Sequence, residues 1–103
     1  MRELFPIGTV VLLTGATKRV MITGYMVTEV DKPDKVYDYS GVMYPEGSLS
    51  SDQVLLFNHS QIRRVYCEGY KDNEFDTFMV KLNRVIESTN GEGGSDAFSD
   101  ISL

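Results

Sequence analysis

The chain has 103 residues, a hydrophobic fraction of 42% and a formal net charge of −5. That length holds one domain with a modest core, and the apolar content is too high for a disordered chain. The acidic balance argues against nucleic acid or an anionic membrane surface as partner, because both bind through positive surfaces that displace counterions.

The charge is unevenly spread. Glu92, Asp96 and Asp100 lie in the segment from Ser88 to Leu103, which has no Lys or Arg; the preceding residues carry twelve acids against ten bases. The single cysteine, Cys67, excludes an intrachain disulfide. Set in the apolar run Val65-Tyr66-Cys67, it is expected to be a small buried hydrophobe. The start, Met1-Arg2-Glu3-Leu4-Phe5-Pro6, lacks the apolar stretch of a signal peptide, and no run reaches the ~20 apolar residues of a membrane span. A cytoplasmic protein without membrane insertion is the expectation.

In chain order, Thr9 to Leu13 is a β-branched run without alternation, which predicts a strand covered on both faces. Thr14 to Lys18 is a turn. A second strand runs from Arg19 to Val30, with Gly24 marking a bulge or bend. Asp31 to Lys35 reads as an irregular charged loop. Val36 to Tyr44 then alternates, Tyr37, Tyr39 and Met43 on one side and Asp38 and Ser40 on the other, predicting a strand with one wet face. Tyr44-Pro45-Glu46-Gly47 closes it as a turn. Val54 to Phe57 is a short buried strand. A tight turn around Ser60 to Ile62 leads into a last strand, which Gly69 stops after about Glu68.

Residues 72 to 87 have a different period. Phe75, Phe78, Met79, Leu82, Val85 and Ile86 form one stripe of an amphipathic helix, with Asp72 or Asn73 as its cap. A stripe of this kind is more often core than partner surface. Residues 88–103 read as a flexible acidic tail with a Gly/Ser linker. The fold class expected is therefore α+β, mainly β, within a single domain over residues 1–87. A strongly bent five-stranded antiparallel sheet or SH3-like small barrel is followed by one C-terminal amphipathic helix. The barrel is the preferred form and an open sheet with one covering helix the alternative.

Catalytic groups are scarce. His59 is the only histidine and sits in Asn58-His59-Ser60-Gln61, a turn composition, where a solvated or turn-stabilising role is expected. Nothing in the sequence brings Cys67 to His59 as a nucleophile–base pair. One Cys and one His make a poor zinc set, the acids lack calcium-loop spacing, and Gly91, Gly93 and Gly94 belong to no phosphate loop. No catalytic, cofactor or metal site is expected. Clustered tyrosines are more suggestive, since they supply contact area at low entropic cost. Tyr37, Asp38, Tyr39, Tyr44, Pro45 and Glu46, with Asn58 and His59, are the candidate partner-binding residues; the same tyrosines could equally pack as core.

Several segments together carry a family resemblance. They are Phe5 to Leu13, Val20 to Gly24, Tyr37-Asp38-Tyr39, Tyr44 to Gly47, Leu56 to His59 and Glu68-Gly69-Tyr70. In this order they resemble a family of small Gram-positive bacterial proteins of undetermined function, over about residues 4–80. Its members are often encoded near type VII secretion loci, beside LXG-type toxins and WXG100-like helical proteins. The resemblance transfers no catalytic residue. It implies a cytoplasmic, non-enzymatic adaptor or chaperone-like partner of a secreted toxin or secretion component. An immunity protein is the alternative, a small-ligand binder or enzyme a more distant one, and homo-oligomerisation is left open.

Overall fold

The computed structural model describes residues 3–29, 31–50 and 53–88; the acidic tail expected over 88–103 therefore lies outside the described residues beyond the helix end. Five strands and one long helix follow one another: β1 (Val10–Leu13), β2 (Val20–Glu29), β3 (Lys32–Met43), β4 (Leu55–Phe57), β5 (Ile62–Cys67) and α1 (Asn73–Ser88). A single 3-10 turn, His59–Gln61, joins β4 to β5.

The strands form one antiparallel sheet in the order β4-β3-β2-β1-β5. The expected SH3-like barrel is not formed. β4 and β5 occupy opposite edges, and β5 pairs with β1 instead of closing against β4. Closure needs a continuous staggered ladder between the edge strands, and the three residues of β4, already paired to Tyr39, Ser40 and Gly41, supply little of one.

Contacts divide the described chain into two compact units: residues 5–27 with 37–70, and residues 3–4, 28–36 and 71–88. In the first unit Val11, Val20, Ile22, Tyr39 and Phe57 are fully buried. The register explains the grouping: Val11 faces Val20 across β1 and β2, and Tyr39 faces Phe57 across β3 and β4. Gly41 lets these layers meet, since a Cβ there would lie 2.6 Å from Val20 Cγ1 and 3.0 Å from the Phe57 ring.

Four expectations need correction. Asp31 to Lys35 is not an irregular loop, because β3 already begins at Lys32; its charged residues are exposed, and a hairpin arm in water tolerates them. β3 does not keep a wet face at Asp38 and Ser40, which are buried. Their polar atoms are satisfied there, Asp38 by the His59 backbone and Ser40 by the Thr23 hydroxyl at 3.2 Å. Cys67 is exposed, because it ends an edge strand whose residues from Arg63 onward are all exposed. Val54 is also exposed and stays outside β4.

The second unit contains α1. Asp72 Oδ1 accepts the Phe75 N–H at 3.0 Å, filling one of the free donors of the first turn. Within the helix Leu82 and Asn83 are buried, the Asn83 amide donating to the Met79 carbonyl at 2.9 Å. Asp76, Lys81, Arg84 and Glu87 are exposed. No described helix is long and apolar enough to cross a membrane.

Candidate functional site

The eight candidate residues separate into two groups. Asp38, Tyr39, Asn58 and His59 lock β3 to the turn after β4. The buried Tyr39 hydroxyl accepts the Phe5 N–H at 3.1 Å and shares a 2.6 Å hydrogen bond with His59 Nδ1. The His59 N–H donates to Asp38 Oδ2 at 2.8 Å, and the Asp38 N–H donates to Asn58 Oδ1 at 3.1 Å. Asn58 in turn donates its N–H to Gln61 Oε1 at 2.8 Å. The Phe5 and His59 rings stack with centroids 5.2 Å apart, and Tyr39 stacks on Phe57 at 5.4 Å. Every polar group named here has a partner, as buried polar groups require. The arrangement holds the N-terminal segment and the 3-10 turn against β3, which is a structural role. Tyr37 is only partly buried.

Tyr25 belongs to the same cluster. Its hydroxyl donates to the Phe5 carbonyl at 2.6 Å, and its ring lies 6.1 Å from that of Tyr39. Burial pushes its phenol well above the ordinary value of 10, the neighbouring Tyr39 adds to the rise, and the Ile7 backbone offsets part of it. The folded state therefore keeps Tyr25 neutral where the unfolded chain ionises it. Stability from this group is complete below about pH 10 and falls as pH rises beyond it. Urea titrations across pH 9–11 are expected to show that fall, and Tyr25→Phe to flatten it; an unchanged slope would refute the assignment.

Tyr44, Pro45 and Glu46 are exposed. Glu46 pairs with Lys18 at 2.7 Å, which holds its carboxyl below the usual carboxylate range. Tyr44 is joined to residues outside the expected set. The Arg19 guanidinium lies 5.1 Å from the Tyr44 ring and 5.7 Å from that of Tyr66, and the Arg64 guanidinium lies 4.7 Å from Tyr66. Backbone pairing sets this row. Tyr44 donates its N–H to the Arg19 carbonyl at 2.9 Å, and Arg64 and Tyr66 lie two residues apart on β5. Tyr44 is 38% and Tyr66 44% exposed, so both offer ring surface to a partner. The signal available in the sequence was Arg19, Arg64 and Tyr66 flanking apolar runs, but only the order β3-β2-β1-β5 brings them together.

Among the described residues, no group of three or more His, Cys, Asp or Glu side chains could hold a metal ion. A groove of about 350 Å³ runs beside α1, lined by Leu4, Phe75, Met79 and Val80 with Glu3 and Asp76; neither His59 nor Cys67 reaches it.

The fold and surface thus define a small sheet-and-helix protein whose network of Asp38, Tyr39, Asn58 and His59 is structural and whose exposed Tyr44 and Tyr66 rings lie under guanidinium ions. The chain belongs to the family described as a domain of unknown function (DUF4176), whose model matches residues 4–78. Neither the curated proteins nor the solved structures contain a match.

Proposed function

We propose that this chain is a non-enzymatic, cytoplasmic accessory protein that binds another protein, an adaptor or chaperone-like partner of a type VII secreted toxin. The observation that carries the binding role is the exposed row of Tyr44, Arg19, Tyr66 and Arg64. Tyr and Arg dominate interface hot spots because they combine large rigid surface with polar tips. Each guanidinium is held against a ring, so little further side-chain entropy is lost on docking. The toxin as partner follows from the genomic setting that the family resemblance implies.

Co-expression of the chain with a toxin encoded beside it, followed by size exclusion, tests the reading. Co-elution as one species is expected, without protection of cells in a toxin challenge. Separate elution from every product of the locus would sink the adaptor role, and protection would replace it with immunity.

A further inference from the structure

Resting on the protein-binding reading, we infer that the Tyr44–Arg19–Tyr66–Arg64 row recognises a carboxylate-bearing segment of the partner, rich in Asp or Glu. Among the described residues, neither Arg19 nor Arg64 meets a carboxylate; their contacts are with the faces of Tyr44 and Tyr66. A guanidinium held over a ring face keeps N–H donors for a further partner, and their fork matches the two oxygens of a carboxylate. Glu46, two residues beyond Tyr44, is engaged by Lys18. A local cationic surface therefore stands on a chain whose net charge is −5.

Two features narrow the ligand. Nucleic acid binding draws on the neutralisation of many phosphates, and an acidic chain with two guanidinium ions over tyrosine rings fits a few carboxylates better. Recognition runs through side chains and not through strand addition at the β5 edge. The pairing of β5 with β1 shifts register twice, between Val10 and Val11 and between Leu12 and Leu13, leaving Tyr66 and Arg63 as extra residues on β5. Bulges and charges of this kind blunt an edge against an added strand and re-aim side chains outward.

The test titrates the full chain with a short synthetic Glu-rich peptide, its Gln counterpart and a single-stranded oligonucleotide, read by NMR shifts of the Tyr ring and Arg side-chain signals. The Glu peptide is expected to shift Tyr44, Tyr66, Arg19 and Arg64. The Gln peptide and the double variant Arg19→Gln/Arg64→Gln are each expected to weaken binding by about tenfold or more. No shift at millimolar Glu peptide, equal binding of the Gln peptide, or tighter binding of the oligonucleotide would overturn the inference. Both arginines are exposed, and an unchanged urea midpoint verifies that the variant folds. Co-elution of the double variant with the toxin separates the two proposals. Retained co-elution, together with an indifferent peptide titration, overturns acidic recognition and leaves protein binding standing.

Discussion

Replacing Tyr39 by Ala is expected to cost about 3–5 kcal/mol of stability, the range for deleting a fully buried aromatic side chain. Tyr39 has no exposed surface. Its ring packs between Phe57, Tyr25 and His59, and its hydroxyl holds both the Phe5 N–H and His59 Nδ1. Against a typical total of about 5–15 kcal/mol for a domain, the loss would unfold much of the population. Tyr39→Phe isolates the polar share. It keeps the ring but leaves the Phe5 donor and His59 Nδ1 without this partner, for an expected cost of about 1–3 kcal/mol. Urea midpoints of both variants check the order. A Tyr39→Ala protein as stable as wild type would mean that Tyr39 is not a keystone of the core.

Gly69→Ala is expected to be the second severe change. A Cβ at Gly69 would overlap the Ile7 carbonyl oxygen and stand 3.0 Å from the Thr9 nitrogen. Those neighbours are backbone and cannot rotate away. They are pinned by the Gly69 N–H to Thr9 Oγ1 bond at 3.0 Å, the Thr9 Oγ1 to Pro6 carbonyl bond at 2.7 Å and the Ile22 N–H to Thr9 carbonyl bond at 2.9 Å. Overpacking of this kind costs about 1–3 kcal/mol, and a rigid backbone neighbour places Gly69 at the upper end. Gly15 supplies the contrast: its φ of 79° favours glycine, yet nothing lies within 4 Å of an added Cβ. Gly15→Ala should therefore cost only the backbone term of about 1–2 kcal/mol. Thermal unfolding of the pair measures the difference, and equal destabilisation would contradict it.

Local features were readable from the residues because they depend on near neighbours. The stripe from Phe75 to Ile86 yields α1 at Asn73–Ser88, Asp72 caps it, and the turn composition at Asn58 to Gln61 yields the 3-10 turn. What the sequence could not show depends on pairing between distant strands. Whether β5 joins β1 or β4 decides between an open sheet and a barrel, and no period in Ile62–Cys67 encodes that choice. The same long-range order made Cys67 an exposed edge residue despite its apolar neighbours.

The alternation in β3 predicts the wrong burial for a related reason. Alternation of Asp38 and Ser40 with tyrosines signals one wet face only when no distant donor arrives to satisfy the polar side chains. Here the His59 N–H, 21 positions along the chain, comes to Asp38. The tyrosine segment proposed as a binding face thus contained one core residue, Tyr39, and one surface residue, Tyr44. Arg19, whose guanidinium lies over both Tyr44 and Tyr66, joins surface residues far apart in the chain.

The most direct test of the protein-binding account measures stability and toxin co-elution on the same double variant, Tyr44→Ala/Tyr66→Ala. Its lost ring–guanidinium contacts are exposed, so the account predicts a stability loss within about 1–2 kcal/mol together with loss of co-elution. A folded double variant that still co-elutes with the toxin would contradict it.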